Sequence, residues 1–147
     1  MIRIANINDK KTIIDYNIAL AKETEDILLP VDIVTQGVTA VLNDPSKGCY
    51  YVYELNGKVL GQLLITYEWS DWRNANFWWI QSVYVSKDTR KMGVFQELFN
   101  FVKSEVTKQK NVCGLRLYVE INNEIAKKTY TKLGMHQTHY DMYEWTK

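Results

Sequence analysis

Apolar residues along the chain change their spacing several times, and each change marks an element. Ile2, Ile4 and Ile7 predict a short first strand. Asn8 or Asp9 then offers a cap for a helix through about Glu25, with Ile13, Ile14, Ile18 and Leu20 along its apolar side. Leu28, Leu29 and Pro30 break that pattern, and a second helix is expected from Asp32 to Leu42, ended by Asn43, Asp44, Pro45, Ser46 and Gly48. Cys49 to Leu55 is rich in Tyr and Val, and Asn56-Gly57 is a strong hairpin signal, so Lys58 to Glu68 answers as the second arm. A polar tip from Ser70 to Asn76 leads into Phe77 to Val85, an almost unbroken apolar and aromatic run that suits a central strand covered on both faces. Beyond a basic stretch, Gly93 opens a helix in which Val94, Leu98, Val102 and Val106 recur every fourth residue. Val112 to Glu120 reads as a strand, Asn123 to Leu133 as a helix stopped by Gly134, and Met135 to Trp145 as a last strand. The expected order is β-α-α-β-β-β-α-β-α-β, an α/β (α+β) chain whose βαβ units place parallel strands within a mixed sheet.

Composition narrows the class. The 147 residues suit one domain, 1–147, with no linker or repeat to divide it. With 46% hydrophobic and 24% charged residues the chain can fill a core, and its formal charge of +1 gives no global attraction for nucleic acid or an anionic membrane. Arg3, Asp9, Lys10 and Lys11 interrupt any leader-like apolar run, and no stretch approaches a transmembrane helix. Cys49 and Cys113 both sit within strand-like runs, where a small core residue is the usual role, and they lack metal or redox spacing. A cytoplasmic protein without a metal is the expectation.

Two motifs carry chemistry. The first is strand, basic loop, helix: Val83-Tyr84-Val85, then Arg90-Lys91-Met92-Gly93-Val94-Phe95. A helix start leaves its first N–H groups without internal partners and concentrates the positive end of the helix dipole. A pyrophosphate can accept those donors where glycine lets the chain approach, and Arg90 and Lys91 add charge. Taken alone, the loop is the pattern of an ordinary basic turn. The second motif is Asn123-Glu124-Ile125-Ala126-Lys127-Lys128-Thr129-Tyr130-Thr131-Lys132-Leu133-Gly134-Met135. Asn123, Ala126 and Tyr130 fall on one side of a helix, although Asn123 also suits a cap and Tyr130 a core aromatic.

Together the motifs resemble those of the GCN5-related N-acetyltransferase (GNAT) family. Its acetyl-coenzyme A motif is Arg/Gln-x-x-Gly-x-Gly/Ala, matched by Arg90 and Gly93, with Phe95 replacing the last small residue. Its downstream pattern Asn-x-x-Ala-x-x-x-Tyr-x-x-Leu-Gly-Phe is matched by Asn123, Ala126, Tyr130, Leu133 and Gly134, with Met135 at the Phe position. The element order agrees over essentially the whole chain. The resemblance implies a mostly antiparallel sheet with a splayed parallel pair, Phe77–Val85 and Cys113–Glu120, whose gap takes the pantetheine arm of acetyl-coenzyme A beside Val83 and Val85. It implies direct transfer of an acetyl group to a primary amine, with Tyr130 protonating the departing thiolate. A phenol of pKa ~10 keeps its proton at neutral pH and so has one to give to the departing thiolate, whose acid has pKa ~8.5. It also admits a homodimer.

The acceptor side is less legible. Glu68-Trp69-Ser70-Asp71-Trp72-Arg73-Asn74 combines aromatics with acids, and Trp78 and Trp79 follow, a set able to hold a cationic amine or to cover a sheet edge. Glu23, Glu25 and Asp26 lie where the family often builds its acceptor wall. Glu25, Trp69, Asp71 and Trp78 are therefore acceptor candidates, and Glu68 and Glu120 are candidates for a general base. His136 and His139 read as structural. The resemblance implies a small-molecule or peptide amine as the acceptor. A non-catalytic acyl-coenzyme A-binding regulatory module with the same fold is the alternative reading, because fold alone does not determine function.

Overall fold

A computed structural model describes residues 1–147, in two compact units, Met1–Leu117 and Tyr118–Lys147. In the first unit one sheet runs in chain order: β1 (Ile2–Ile4), β2 (Cys49–Leu55), β3 (Lys58–Ser70), β4 (Ala75–Val85) and β5 (Val112–Arg116). Every neighbouring pair is antiparallel except β4 and β5, which are parallel. The β2–β3 turn is the two-residue hairpin expected from Asn56-Gly57. Both residues hold positive φ, 52° and 74°, which matches the right-handed twist of the arms.

Three helices cover this sheet: α1 (Lys10–Glu25), α2 (Val31–Asn43) and α3 (Val94–Lys108). Side chains alternate across each strand, so register partners share a face. Tyr50 and its partner Leu64 meet Ile13 and Ile14 of α1 and Val38 of α2 on one face. Tyr51 and its partner Leu63 point to the other, where the Tyr51 ring lies 5.8 Å from Phe101 of α3. Val94, Leu98, Phe99 and Val102 of α3 are buried. Each such side chain contributes about 1.5–3 kcal/mol of transfer free energy. The helix entry differs from the sequence expectation. Asn6 caps a single 3-10 turn, Ile7–Asp9, that runs into α1, and Asp9 is engaged by Arg3 through two bonds of 2.7 and 2.9 Å.

β4 carries a bulge. Two steps along β3, from Gln62 to Leu64, face three along β4, from Gln81 to Tyr84, and Ser82 lies in the left-handed region at φ 48°. The Ser82 carbonyl accepts a 3.3 Å bond from the buried Gln62 amide, which also donates to Asn17 at 2.8 Å. β5 has its own irregularity: Asn76 faces Val112 and Phe77 faces Gly114, leaving Cys113 as the extra residue. This corrects the expectation of a core thiol. Cys113 is exposed because the bulge turns it out of the packed faces, and Cys49 is only half-buried.

In the second unit Asn123 caps α4 (Glu124–Lys132), its side-chain oxygen accepting from Ala126 N–H at 3.0 Å. Gly134, at φ 89°, ends the helix, with Met135 N–H bonded to the Tyr130 carbonyl and Gly134 N–H to that of Thr131, both at 3.0 Å. The strand expected over Met135 to Trp145 is absent, and β5 stops at Arg116 rather than Glu120. A strand exists through its ladder, and no ladder forms along Met135–Trp145. Tyr140, Met142, Tyr143 and Trp145 are left exposed. No helix of the protein is long and apolar enough to cross a membrane.

Candidate active site

The turn from β4 into α3 is built almost entirely from local backbone bonds. Ser86 N–H returns to the Leu60 carbonyl at 2.8 Å, fixing the strand end. A 3-10 turn, Lys87–Thr89, follows. Lys91 and Gly93 then take left-handed φ values of 71° and 79°, two such residues within three positions. The first ladder bond of α3 runs from Glu97 N–H to the Gly93 carbonyl at 3.0 Å, and no side chain caps the helix. The positive end of the α3 dipole therefore stands behind an exposed loop that carries three cations, Lys87, Arg90 and Lys91. A Cβ on Gly93 would meet nothing within 4 Å, so that surface is open. Gly61 of β3 has the opposite role: a Cβ there would lie 2.7 Å from Val94 Cγ1, so the bare backbone lets the head of α3 close onto the sheet.

Arg90 is held in place by three groups. Its Nε donates to the Val85 carbonyl at 3.1 Å, its Nη2 meets Glu23 Oε2 at 2.5 Å, and the guanidinium lies 5.4 Å from the centre of the Tyr84 ring. Glu23, near the end of α1, also accepts from the Tyr84 hydroxyl at 2.9 Å and pairs with Lys87 at 3.3 Å. The Arg90 guanidinium holds the Glu23 carboxyl below the usual carboxylate range, and Glu23 in turn raises Arg90. Burial, then Glu23, pushes the Tyr84 phenol up. Neither Glu23's part in this cluster nor Tyr84's polar role was foreseen from the sequence, where no local pattern joins residues 61 and 67 positions apart.

The strand leading into this turn has an open edge. The β4–β5 ladder ends at Trp79 opposite Arg116, while β4 continues to Val85. From Ile80 onward, on the side away from β3, no strand pairs with it. Val83, Tyr84 and Val85 lie on this segment, Val83 within the bulge beside Ser82. An extended ligand can bond such an edge as an added strand does. Backbone edge, uncapped helix head and cation together fit a ligand with an amide-bearing arm and a diphosphate.

The remaining candidates fall in several places. Val94 is buried, Phe95 packs 6.2 Å from Phe99, and Met92 is exposed. In the second unit Tyr130 is half-buried on α4, one turn beyond Ala126, and burial pushes its phenol up so that it holds its proton at neutral pH. Glu120 is bound in the turn before α4, accepting from Asn122 N–H at 2.9 Å and its amide at 3.2 Å. Glu68 pairs with Arg116 at 2.5 Å, and that guanidinium lies 3.7 Å from the Phe77 ring. Glu68 and Phe77 are register partners on one face, whereas Trp69 and Trp78 belong to the other, where Trp78 is buried 6.3 Å from Tyr67. The tip residues therefore do not converge as one group. Trp69 is exposed, Asp71 accepts from Trp72 N–H within the turn at 3.0 Å, and Glu25 is exposed as the last residue of α1.

Comparison with known proteins gives this geometry a context. The model of the acetyltransferase (GNAT) family matches residues 13–135. A possible acetyltransferase from Clostridium difficile 630 superposes with a TM-score of 0.95 at 51% identity, covering 99% of this chain and 96% of that one. An uncharacterised N-acetyltransferase of Methanocaldococcus jannaschii is 29% identical over 86 residues, 58% of this chain; the match spans about half, 51%, of that curated relative. AAC(6')-Iy, solved in complex with a coenzyme A bisubstrate analogue, shares the fold at a TM-score of 0.77 and 16% identity, covering 100% of this chain and 97% of that one.

Proposed function

From the premise that the chain belongs to the acetyltransferase (GNAT) family, we propose that residues 1–147 act as one acetyltransferase domain that moves an acetyl group from acetyl-coenzyme A to a primary amine of a small molecule or peptide. The observation that carries this reading is the open edge of β4 running into the uncapped head of α3 beside Arg90. Acetyl-coenzyme A supplies an activated acyl thioester when bound. The backbone of Val83 and Val85 holds its arm in strand fashion, and a β4 N–H polarises the acyl oxygen. Arg90, Lys91 and the α3 N-terminus hold the diphosphate, with Met92, Val94 and Phe95 setting the backbone there. Asn123 starts α4 and so fixes the helix that carries Ala126 and Tyr130. Tyr130, kept protonated, donates to the departing thiolate.

The proposal makes a direct demand on binding. Acetyl-coenzyme A at about one hundred times its Kd is expected to stabilise the fold by about 2.7 kcal/mol. Arg90→Glu is expected to abolish most of that by setting a carboxylate beside phosphate. Incubation with acetyl-coenzyme A and a panel of amines, followed by free thiol, then tests transfer. Stabilisation without thiol release for any amine would favour the regulatory module; no stabilisation at all would refute the site.

A further inference from the structure

Glu23 lies on α1, far in sequence from either motif, yet it is the hub of the contacts around Arg90. One oxygen takes Arg90 Nη2 at 2.5 Å and the other takes the Tyr84 hydroxyl at 2.9 Å. Arg90 Nε is used by the Val85 carbonyl, and the Tyr84 ring, itself 4.7 Å from Tyr16, backs the guanidinium. These contacts fix the plane of the guanidinium through Nε and one Nη2 hydrogen. The Nη1 amino group takes part in none of them, and it keeps two donors.

We infer that Glu23 is a positioning residue for the co-substrate: it holds Arg90 so that the Nη1 edge meets the diphosphate without first having to be ordered. The inference rests on the acetyl-coenzyme A reading above. A long side chain ordered before binding does not lose that freedom on binding, which is the gain from preorganisation. The carboxylate does not cancel the site's attraction for anions. Arg90, Lys87 and Lys91 stand against Glu23 and Asp88, leaving an excess of positive charge in the loop. Lys87 pairs with the same carboxylate, so Glu23 gathers two cations at the strand end.

Calorimetric titration of acetyl-coenzyme A tests this in wild type, Glu23→Ala, Glu23→Gln, Arg90→Ala and the Glu23→Ala/Arg90→Ala double variant. Glu23→Ala is expected to raise Kd about threefold to tenfold, the cost of ordering one long side chain on binding. Glu23→Gln is expected to recover most of the loss, because its amide oxygen still accepts from Arg90. In the Arg90→Ala background, Glu23→Ala is expected to change nothing, whereas a merely structural role would weaken binding equally in both backgrounds. An unchanged or lower Kd in Glu23→Ala, or equal effects in the two backgrounds, overturns the inference while wild-type binding stands. A wild type that does not bind acetyl-coenzyme A refutes the parent reading, and this one with it.

Discussion

Gly93 offers the most direct test of the loop. Its φ of 79° is a conformation that costs an L-residue about 1–2 kcal/mol. A Cβ there would meet nothing within 4 Å, so no clash adds to that figure. Alanine also restricts the unfolded chain, which returns about 0.4–1 kcal/mol. Gly93→Ala should therefore destabilise by about 1 kcal/mol net, or lower Tm by about 2–4 °C in a chain of this size. Urea denaturation followed by circular dichroism measures it, with an unchanged m-value showing that the surface exposed on unfolding is the same in both proteins. Gly93→Asn should cost less, since Asn tolerates left-handed backbone. The functional arm is independent: if alanine relaxes Gly93 out of this conformation, the head of α3 moves and acetyl-coenzyme A binding weakens. A stabilising Gly93→Ala would refute the reasoning, because it would mean that residue 93 is not held left-handed and that the loop is not a fixed cradle.

Three further outcomes are expected. Gly61→Ala should destabilise by about 1–3 kcal/mol through overpacking, since its methyl would lie 2.7 Å from Val94 Cγ1, and a Gly61→Ala/Val94→Ala double variant should lose less than the sum of the two single losses in the same melts. Asp9, held below its ordinary value near 3.8 first by Arg3, contributes stability that is present above that value and lost as pH falls through the folded one. Asp9→Asn should thus cost about 2–3 kcal/mol at pH 7, and the gap to wild type should close in melts taken progressively below pH 3.8; a gap constant with pH would contradict the pairing. Tyr130→Phe should lower kcat about 10²–10⁴-fold in single-turnover assays while leaving acetyl-coenzyme A affinity nearly unchanged, and full activity would remove the hydroxyl from the mechanism.

Local signals were legible where the chemistry is local. Asn56-Gly57 can hardly serve any purpose but a tight turn, Asn123 capped the helix it precedes, and Gly134 ended it. The period of α3 was readable because Val94, Leu98 and Val102 all face the sheet. The segment Met135–Trp145 was misread because aromatic density imitates a strand, while pairing depends on a partner that no residue in the segment specifies. Cys113 was misplaced for a related reason: a bulge shifts a residue out of the alternating pattern without leaving a composition mark. Arg90 and Gly93 were found through a motif, but Glu23 was not, because its contact with Arg90 crosses 67 positions and depends on how α1 lies against β4. For the same reason, the opposed faces of Glu68 and Trp78 follow from register, which sequence proximity conceals.

The bulge that exposes Cys113 also affects how this protein can be handled at the bench. Its Sγ lies 3.4 Å from the Asn76 carbonyl at the surface, while burial pushes the Cys49 thiol up and slows its reaction. A colorimetric thiol reagent will therefore take up Cys113 rapidly and stoichiometrically, as a burst that scales with protein and not with time. That burst would pass for a first turnover in any assay that counts liberated thiol. Replacing Cys113 by serine removes the artefact. Kept, the same side chain is a chemically distinct attachment point on β5 for a fluorophore that reports on the neighbouring end of β4.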